Sequence, residues 1–274
     1  MEATRTDRLR QVTVTISAVA CVIGTLYGTG VLGTTVQNSS GGRLSADATL
    51  IAPAGTAFSI WSVIYAGLGA YTVWQWLPTS TTSPRARAIG WLASASMLLN
   101  AGWLLVTLLG WLPVSVAVIV ALLAVLLVIN YRLIANRANT GPVTAFEKVA
   151  IDGTFGLYLG WVSVATFANI AAVVTGSPAS SPSGLAEAAA VATLLVVSGV
   201  GVALARTLGG RATVAAAMMW GLSWIAVGRT TDEPRSLVTA VAALAAVVII
   251  GAATYWSRTR GPRTATASDG APAA

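Results

Sequence analysis

Three short stretches of this chain place aromatic rings and a carboxamide on one side of a helix. Trp61, Tyr65 and Gly69 follow at four-residue steps, and Asn100 and Trp103 lie three residues apart. Tyr158 and Trp161 share a face that continues through Ala165 towards Asn169. Residues three or four apart on a helix are surface neighbours, so each set forms a stripe. Rings and amides do no acid–base work, but together they can hold a flat, largely apolar molecule by stacking and one or two hydrogen bonds. An asparagine in hydrocarbon is costly without a partner, so Asn100 and Asn169 should point into a helix bundle. The plainer alternative is interhelical packing with the asparagines bonded across helices. The pattern alone does not choose between the two.

Other chemistries are poorly provided for. Histidine is absent, which excludes histidine-ligated haem, histidine–zinc sites and a histidine general base. Cys21 is the only cysteine, so no intrachain disulfide can form. The acidic residues nearest to apolar runs are Glu147, Asp152 and Glu187, all at the ends of those runs. Asp152 follows Lys148 by four residues, a spacing that predicts an ion pair at the membrane surface. Lys148 is the only lysine and also lies at a span end, which argues against a Schiff-base chromophore. No catalytic and no metal-ligating residue is assigned.

The elements that must position these stripes are membrane helices. Of the 274 residues, 55% are hydrophobic and 9% charged, against about a quarter charged in a soluble domain. Eight apolar runs approach the length of about 20 residues that crosses a hydrocarbon core: 12–32, 57–77, 88–109, 112–129, 153–174, 185–205, 212–227 and 237–256. Only Gly110 and Trp111 separate the third from the fourth, which predicts a tight antiparallel hairpin. The seventh run is the shortest. With the N-terminus inside, 13 of the 16 basic residues fall on the cytoplasmic side and only Arg43, Arg229 and Arg235 outside. That asymmetry favours eight spans over seven, with both ends cytoplasmic.

The formal charge of +7 is thus topological, and no basic helix face or arginine-rich arm points to nucleic acid. The basic start followed by an apolar run reads as an uncleaved first span, and Cys21 as a thiol buried in the membrane rather than a lipidated one. The high Ala, Val and Arg content resembles that of GC-rich bacteria, so the expected location is the cell (cytoplasmic) membrane. Among the ten tryptophans, Trp74, Trp76, Trp91, Trp111 and Trp256 lie near span ends, as in an interfacial belt. Gly24 and Gly28 form a Gly-x-x-x-Gly step, read as close helix packing with a dimer contact as the alternative. Trp220 and Trp224 share a face of the seventh run, either extending an aromatic cavity or packing against the other helices.

The residues of the three stripes also carry a resemblance. The run Phe58-Ser59-Ile60-Trp61-Ser62-Val63-Ile64-Tyr65-Ala66-Gly67-Leu68-Gly69 resembles the second span of the translocator protein family, also called TspO/MBR, the tryptophan-rich sensory proteins or the peripheral benzodiazepine receptors. Leu99-Asn100-Ala101-Gly102-Trp103 resembles its third-span Leu-Asn-x-x-Trp. Tyr158-Leu159-Gly160-Trp161-Val162-Ser163-Val164-Ala165-Thr166-Phe167-Ala168-Asn169 resembles its fifth-span Tyr-x-x-Trp-Val-x-x-Ala-Thr-x-x-Asn. The chain departs from the pattern at Leu157, where the family has proline, and in three further spans that a five-helix member lacks.

The resemblance implies an all-α integral membrane fold. Residues 1–10 form a cytoplasmic tail, 11–175 a five-span TspO-like bundle, 176–256 a three-span C-terminal extension and 257–274 a disordered cytoplasmic tail. It further implies a pocket inside the five-helix bundle for a tetrapyrrole such as a porphyrin, held by Trp61, Tyr65, Asn100, Trp103, Tyr158, Trp161 and Asn169. No cofactor is expected beyond such a bound porphyrin. The expected partners are the lipid bilayer, a hydrophobic small molecule and, by resemblance, a second copy in a homodimer. The expected role is a sensor or transporter that binds a planar hydrophobic ligand and is not an enzyme. The alternatives are a secondary transporter of a small solute and an intramembrane enzyme that photo-oxidises porphyrin through Trp61 and Trp161.

Overall fold

The computed structural model describes residues 3–28, 35–137, 142–175 and 183–260, and among these every regular element is helical. Eight long helices follow the eight apolar runs: α1 Arg5–Gly28, α2 Ile60–Trp74, α3 Pro84–Leu108, α4 Leu112–Ala135, α5 Thr154–Val174, α6 Gly184–Thr207, α7 Ala212–Thr231 and α8 Leu237–Thr259. The expected end of the first span at 29–32, residues 176–182 between the fifth and sixth spans and the tail from 261 onward lie outside the described residues.

Local signals set the helix ends. Pro84 occupies the first turn of α3, where its missing N–H costs nothing, and the Ser83 side chain accepts from the Arg85 N–H. The Ser183 and Ser236 side chains cap α6 and α8 in the same way. Thr144 and Glu147 form a reciprocal capping box, from which the chain passes through a π-helical turn at Lys148–Gly153 into α5. Gly110, at φ 78°, closes the hairpin between α3 and α4 that its two-residue spacer demands.

Among the described residues, seven helical segments are long and apolar enough to cross a membrane, the second of them counted from Gly55. The exception is α7, whose 20 residues include Trp220, Trp224 and Arg229. It nevertheless runs the full depth of the bundle, from Arg211 at one end to Arg229 at the other. It is also enclosed by α5 on one side and α8 on the other. A helix surrounded by protein presents little surface to lipid and can carry more polar residues.

Helix contacts are made by small residues. A Cβ built on Gly24 would stand 3.3 Å from Ala101 of α3, and one on Gly28 would meet Leu104 at 2.5 Å. The glycine step of α1 is therefore filled from within the chain. Gly67 of α2 lies against Thr154 at the start of α5. Gly156 and Gly160 of α5 form a second step, against Thr213, Val214 and Ala217 of α7. Through it the last three helices are joined to the first five.

Charged residues gather at the two ends of the bundle. At one end Asp7 accepts from Arg10 (2.7 Å) and from both Nε and Nη2 of Arg87 (2.9 and 2.6 Å). Nearby, Asp152 accepts from Arg85 at 2.5 Å and from Arg211, and Arg211 also donates to Asn130 Oδ1 at 3.0 Å. This corrects the expected Lys148–Asp152 pair. In the π-helical turn, residues four apart no longer stack, and Asp152 turns to arginines on α3 and before α7 instead.

The tryptophan assignment needs one correction too. Trp76, Trp91, Trp111 and Trp256 are exposed near helix ends, as a belt requires, but Trp74 is 1% exposed and packs on Tyr71 with ring centroids 6.0 Å apart. Its position near the end of α2 does not place it at the surface, because Tyr71, on which it stacks, in turn meets Phe155 of α5 edge-on at 5.2 Å. The thiol of Cys21 is buried between helices and accepts from Asn100 Nδ2 at 3.5 Å.

Candidate functional site

The three stripes converge on a largely enclosed apolar cavity of about 60 Å³ within α2, α3, α4 and α5. Trp61 of α2, Asn100 and Trp103 of α3, and Trp161 and Asn169 of α5 are in its wall, with Ile119 and Leu122 of α4 opposite. The loop between α1 and α2 covers it, contributing Val36, Arg43, Leu44, Ser45, Thr49, Ala52 and Pro53. No residue of α6, α7 or α8 is among its lining residues.

The aromatic residues form one connected group. Trp61 meets Trp161 edge to face, with centroids 6.3 Å apart and planes at 83°. Phe58, in the turn that enters α2, meets Trp161 at 5.6 Å. Tyr65 stacks on Trp61 at 5.2 Å and Tyr158 meets it edge-on at 5.8 Å. These two tyrosines stand behind the wall rather than in it. The Tyr158 hydroxyl donates to the Ser96 carbonyl at 3.3 Å, and the Tyr65 hydroxyl accepts from Asn100 Nδ2 at 3.0 Å. The sequence-predicted residues thus divide into five that line the cavity and two that fix the orientation of Trp61 and Asn100.

Both asparagines point inward and bond across helices, yet each is only half satisfied. Asn169 Oδ1 accepts from Ser115 at 3.1 Å and from Trp103 Nε1 at 3.5 Å, while its Nδ2 is buried without a partner. Asn100 uses its Nδ2 and leaves Oδ1 unpartnered. Three further buried atoms without a partner belong to the same wall: Trp161 Nε1, Thr49 Oγ1 and Arg43 Nε. A buried polar group left unpaired costs about 1–3 kcal/mol. A purely structural bundle would not be expected to gather five of them around one cavity.

Arg43, Thr49 and Phe58 are not among the stripes, and a helical period could not have found the two loop residues. One signal for Arg43 was present. It is one of three basic residues on the side that the charge asymmetry should leave poor in them. Its Nη2 donates to the Ala172 and Val173 carbonyls at 3.0 and 3.1 Å, closing the C-terminal end of α5. Trp220 and Trp224, by contrast, do not extend the cavity. Trp220 Nε1 donates to the Ala57 carbonyl at 2.9 Å, and the Ala54 N–H donates to the Trp224 carbonyl at 3.1 Å, so both brace the entry to α2.

Beside the cavity runs an open apolar groove of about 610 Å³ between Phe167, Ile170 and Val174 of α5 and Ala189, Thr193 and Val196 of α6. Thr49 lines both spaces. Among the described residues no group of three or more His, Cys, Asp or Glu residues is placed to hold a metal ion.

The sequence model of a family described as TSPO-like protein matches residues 11–255. The match runs past the first five helices, four of which line the cavity, and into the last of the remaining three. Comparison with curated proteins and with solved structures gives no match.

Proposed function

The chain belongs to the TSPO-like protein family, a multi-pass membrane protein by its helices, and on that premise we propose that it binds a planar hydrophobic ligand of tetrapyrrole type. The observation that carries the reading is the pairing of connected indoles with five unpartnered polar atoms in one cavity wall. Flat rings give stacking area at low conformational cost, and the free donors and acceptor orient what is stacked. With no histidine in the chain, a tetrapyrrole would be held by stacking and not by an imidazole ligand.

The cavity volume adds a condition. At about 60 Å³ it is well below the roughly 300–1,000 Å³ of ordinary ligand sites. Binding therefore needs one wall to move, and the part of the wall that is not a long helix is the loop at 43–53. Titrating purified protein with protoporphyrin IX should quench tryptophan emission, and Trp161→Ala should weaken binding about tenfold or more. Unchanged affinity in both Trp61→Ala and Trp161→Ala would overturn the pocket.

A light-dependent reaction of bound porphyrin is the second reading. It is favoured by the direct contact of Trp61 with Trp161, since an indole can donate an electron to an excited porphyrin. Illumination of the complex followed by product analysis tests it. Loss of porphyrin that is equally fast in Trp61→Phe and Trp161→Phe would exclude the indoles.

A further inference from the structure

We infer that the cavity selects ligands that carry a carboxylate on their flat apolar body, and that Arg43 is the group that recognises it. The inference rests on the binding reading above and adds to it the charge of the ligand. Among the five unpartnered atoms, Arg43 Nε, Trp161 Nε1 and Asn169 Nδ2 are N–H donors, Thr49 Oγ1 can donate or accept, and Asn100 Oδ1 alone is only an acceptor. A wall so rich in donors asks for a ligand rich in acceptors. A neutral sterol-like body with one hydroxyl would leave most of them unpaired.

Arg43 supplies the charge. It forms no salt bridge among the described residues, although Asp47 lies four residues away in the same loop. Asp47 instead accepts from Ser45. Capping the carbonyls of α5 occupies Nη2, and the buried Nε is left beside the cavity. The Nε–H of a guanidinium can donate to one oxygen of a carboxylate, and such charge-assisted bonds are about twice as strong as neutral ones. The same residue stands in the loop that must move for a ligand to enter, so it can meet the acid as the loop closes.

The probes are protoporphyrin IX, a dicarboxylic acid, and its dimethyl ester, which keeps the ring and loses both charges. The wild-type protein should bind the acid about tenfold or more tightly than the ester. Arg43→Gln should remove that preference by weakening the acid alone. Equal wild-type affinity for acid and ester would overturn the inference, as would an Arg43→Gln variant that still prefers the acid by the wild-type margin. The wild-type comparison needs no variant, so a folding defect in Arg43→Gln cannot hide the answer. Loss of both compounds in Trp161→Ala, with no acid preference in the wild type, would leave the cavity standing and remove only the role of Arg43. Failure of both compounds to bind the wild-type protein would overturn both readings.

Discussion

The carbonyl of Val214 lies 2.2 Å from the point where a Cβ on Gly160 would stand, so α5 and α7 touch main chain to main chain. The contact places the neighbour of Gly160, Trp161, against Gly221 of the same partner helix. One face of α5 therefore holds the cavity while the adjoining face holds the last three helices. Any change in the spacing of α5 and α7 reaches the cavity through Trp161.

Gly160→Ala should accordingly be among the most damaging single-methyl additions in the chain. The intruded atom is backbone and cannot rotate away, and overpacking of this kind costs about 1–3 kcal/mol. Thermal unfolding in mild detergent should show a lowered Tm, and porphyrin binding should weaken with it. Gly69→Ala, where a Cβ meets nothing within 4 Å, is the matched control and should leave both unchanged.

Asp152→Asn should destabilise by about 3 kcal/mol, since removing one partner of a buried ion pair leaves the others uncompensated. Here two arginines, Arg85 and Arg211, would lose their anion together, each with a side chain about 5% exposed. The variant should unfold at a lower temperature than the wild-type protein. Lys148→Met should leave the unfolding temperature unchanged, because Lys148 takes no part in the network; an equal loss from both would contradict the pairing.

Asn169→Leu separates stability from binding. It deletes a buried Nδ2 that has no partner, and with it the bonds from Ser115 and from Trp103 Nε1, effects of opposite sign. Stability should change by less than about 1 kcal/mol, while protoporphyrin affinity falls about three- to tenfold. A fall in Tm with unchanged affinity would assign Asn169 to interhelical bonding alone.

Gly24→Leu tests whether the first glycine step serves the chain or an oligomer. Its Cβ position faces Ala101 at 3.3 Å, so the larger side chain must push α1 from α3. The expected result is lower stability with no change in the oligomeric state seen by native mass spectrometry. Conversion of an oligomer to a monomer at unchanged stability would place the step at an interface between copies.

The parts of the fold that follow from period and length were legible in the sequence. The three stripes could be read because an α-helix turns a spacing of three or four into a shared face, and Trp61, Asn100, Trp103, Trp161 and Asn169 do share one cavity wall. The hairpin at Gly110 and Trp111 followed from having two residues in which to reverse. What period cannot convey was missed. Asp152 escaped because a π-helical turn shifts the faces of one short segment. Trp74 escaped because nearness to a helix end along the chain is not nearness to the surface. Arg43 and Thr49 lie in a loop, whose path is fixed by what it lands on and not by any repeat of its own. The destination of Trp220 and Trp224 depended on which helix faced them, and that was decided by Gly156 and Gly160 two helices earlier.

The modest apolarity of α7 bears on how the protein is made. A helix with Arg229 in its last turn and two indoles near its middle gains little from leaving the translocation channel for lipid on its own. Only five residues separate it from the strongly apolar α8, and the Ser236 N–H already bonds back to the Arg229 carbonyl at 3.0 Å. The pair is therefore expected to enter the bilayer as one hairpin, with α8 supplying the driving force and α5 the seat. With one cysteine introduced in α7 on a Cys21→Ser background, nascent chains cut short after residue 236 should react with aqueous thiol reagents, and chains that extend through α8 should be protected.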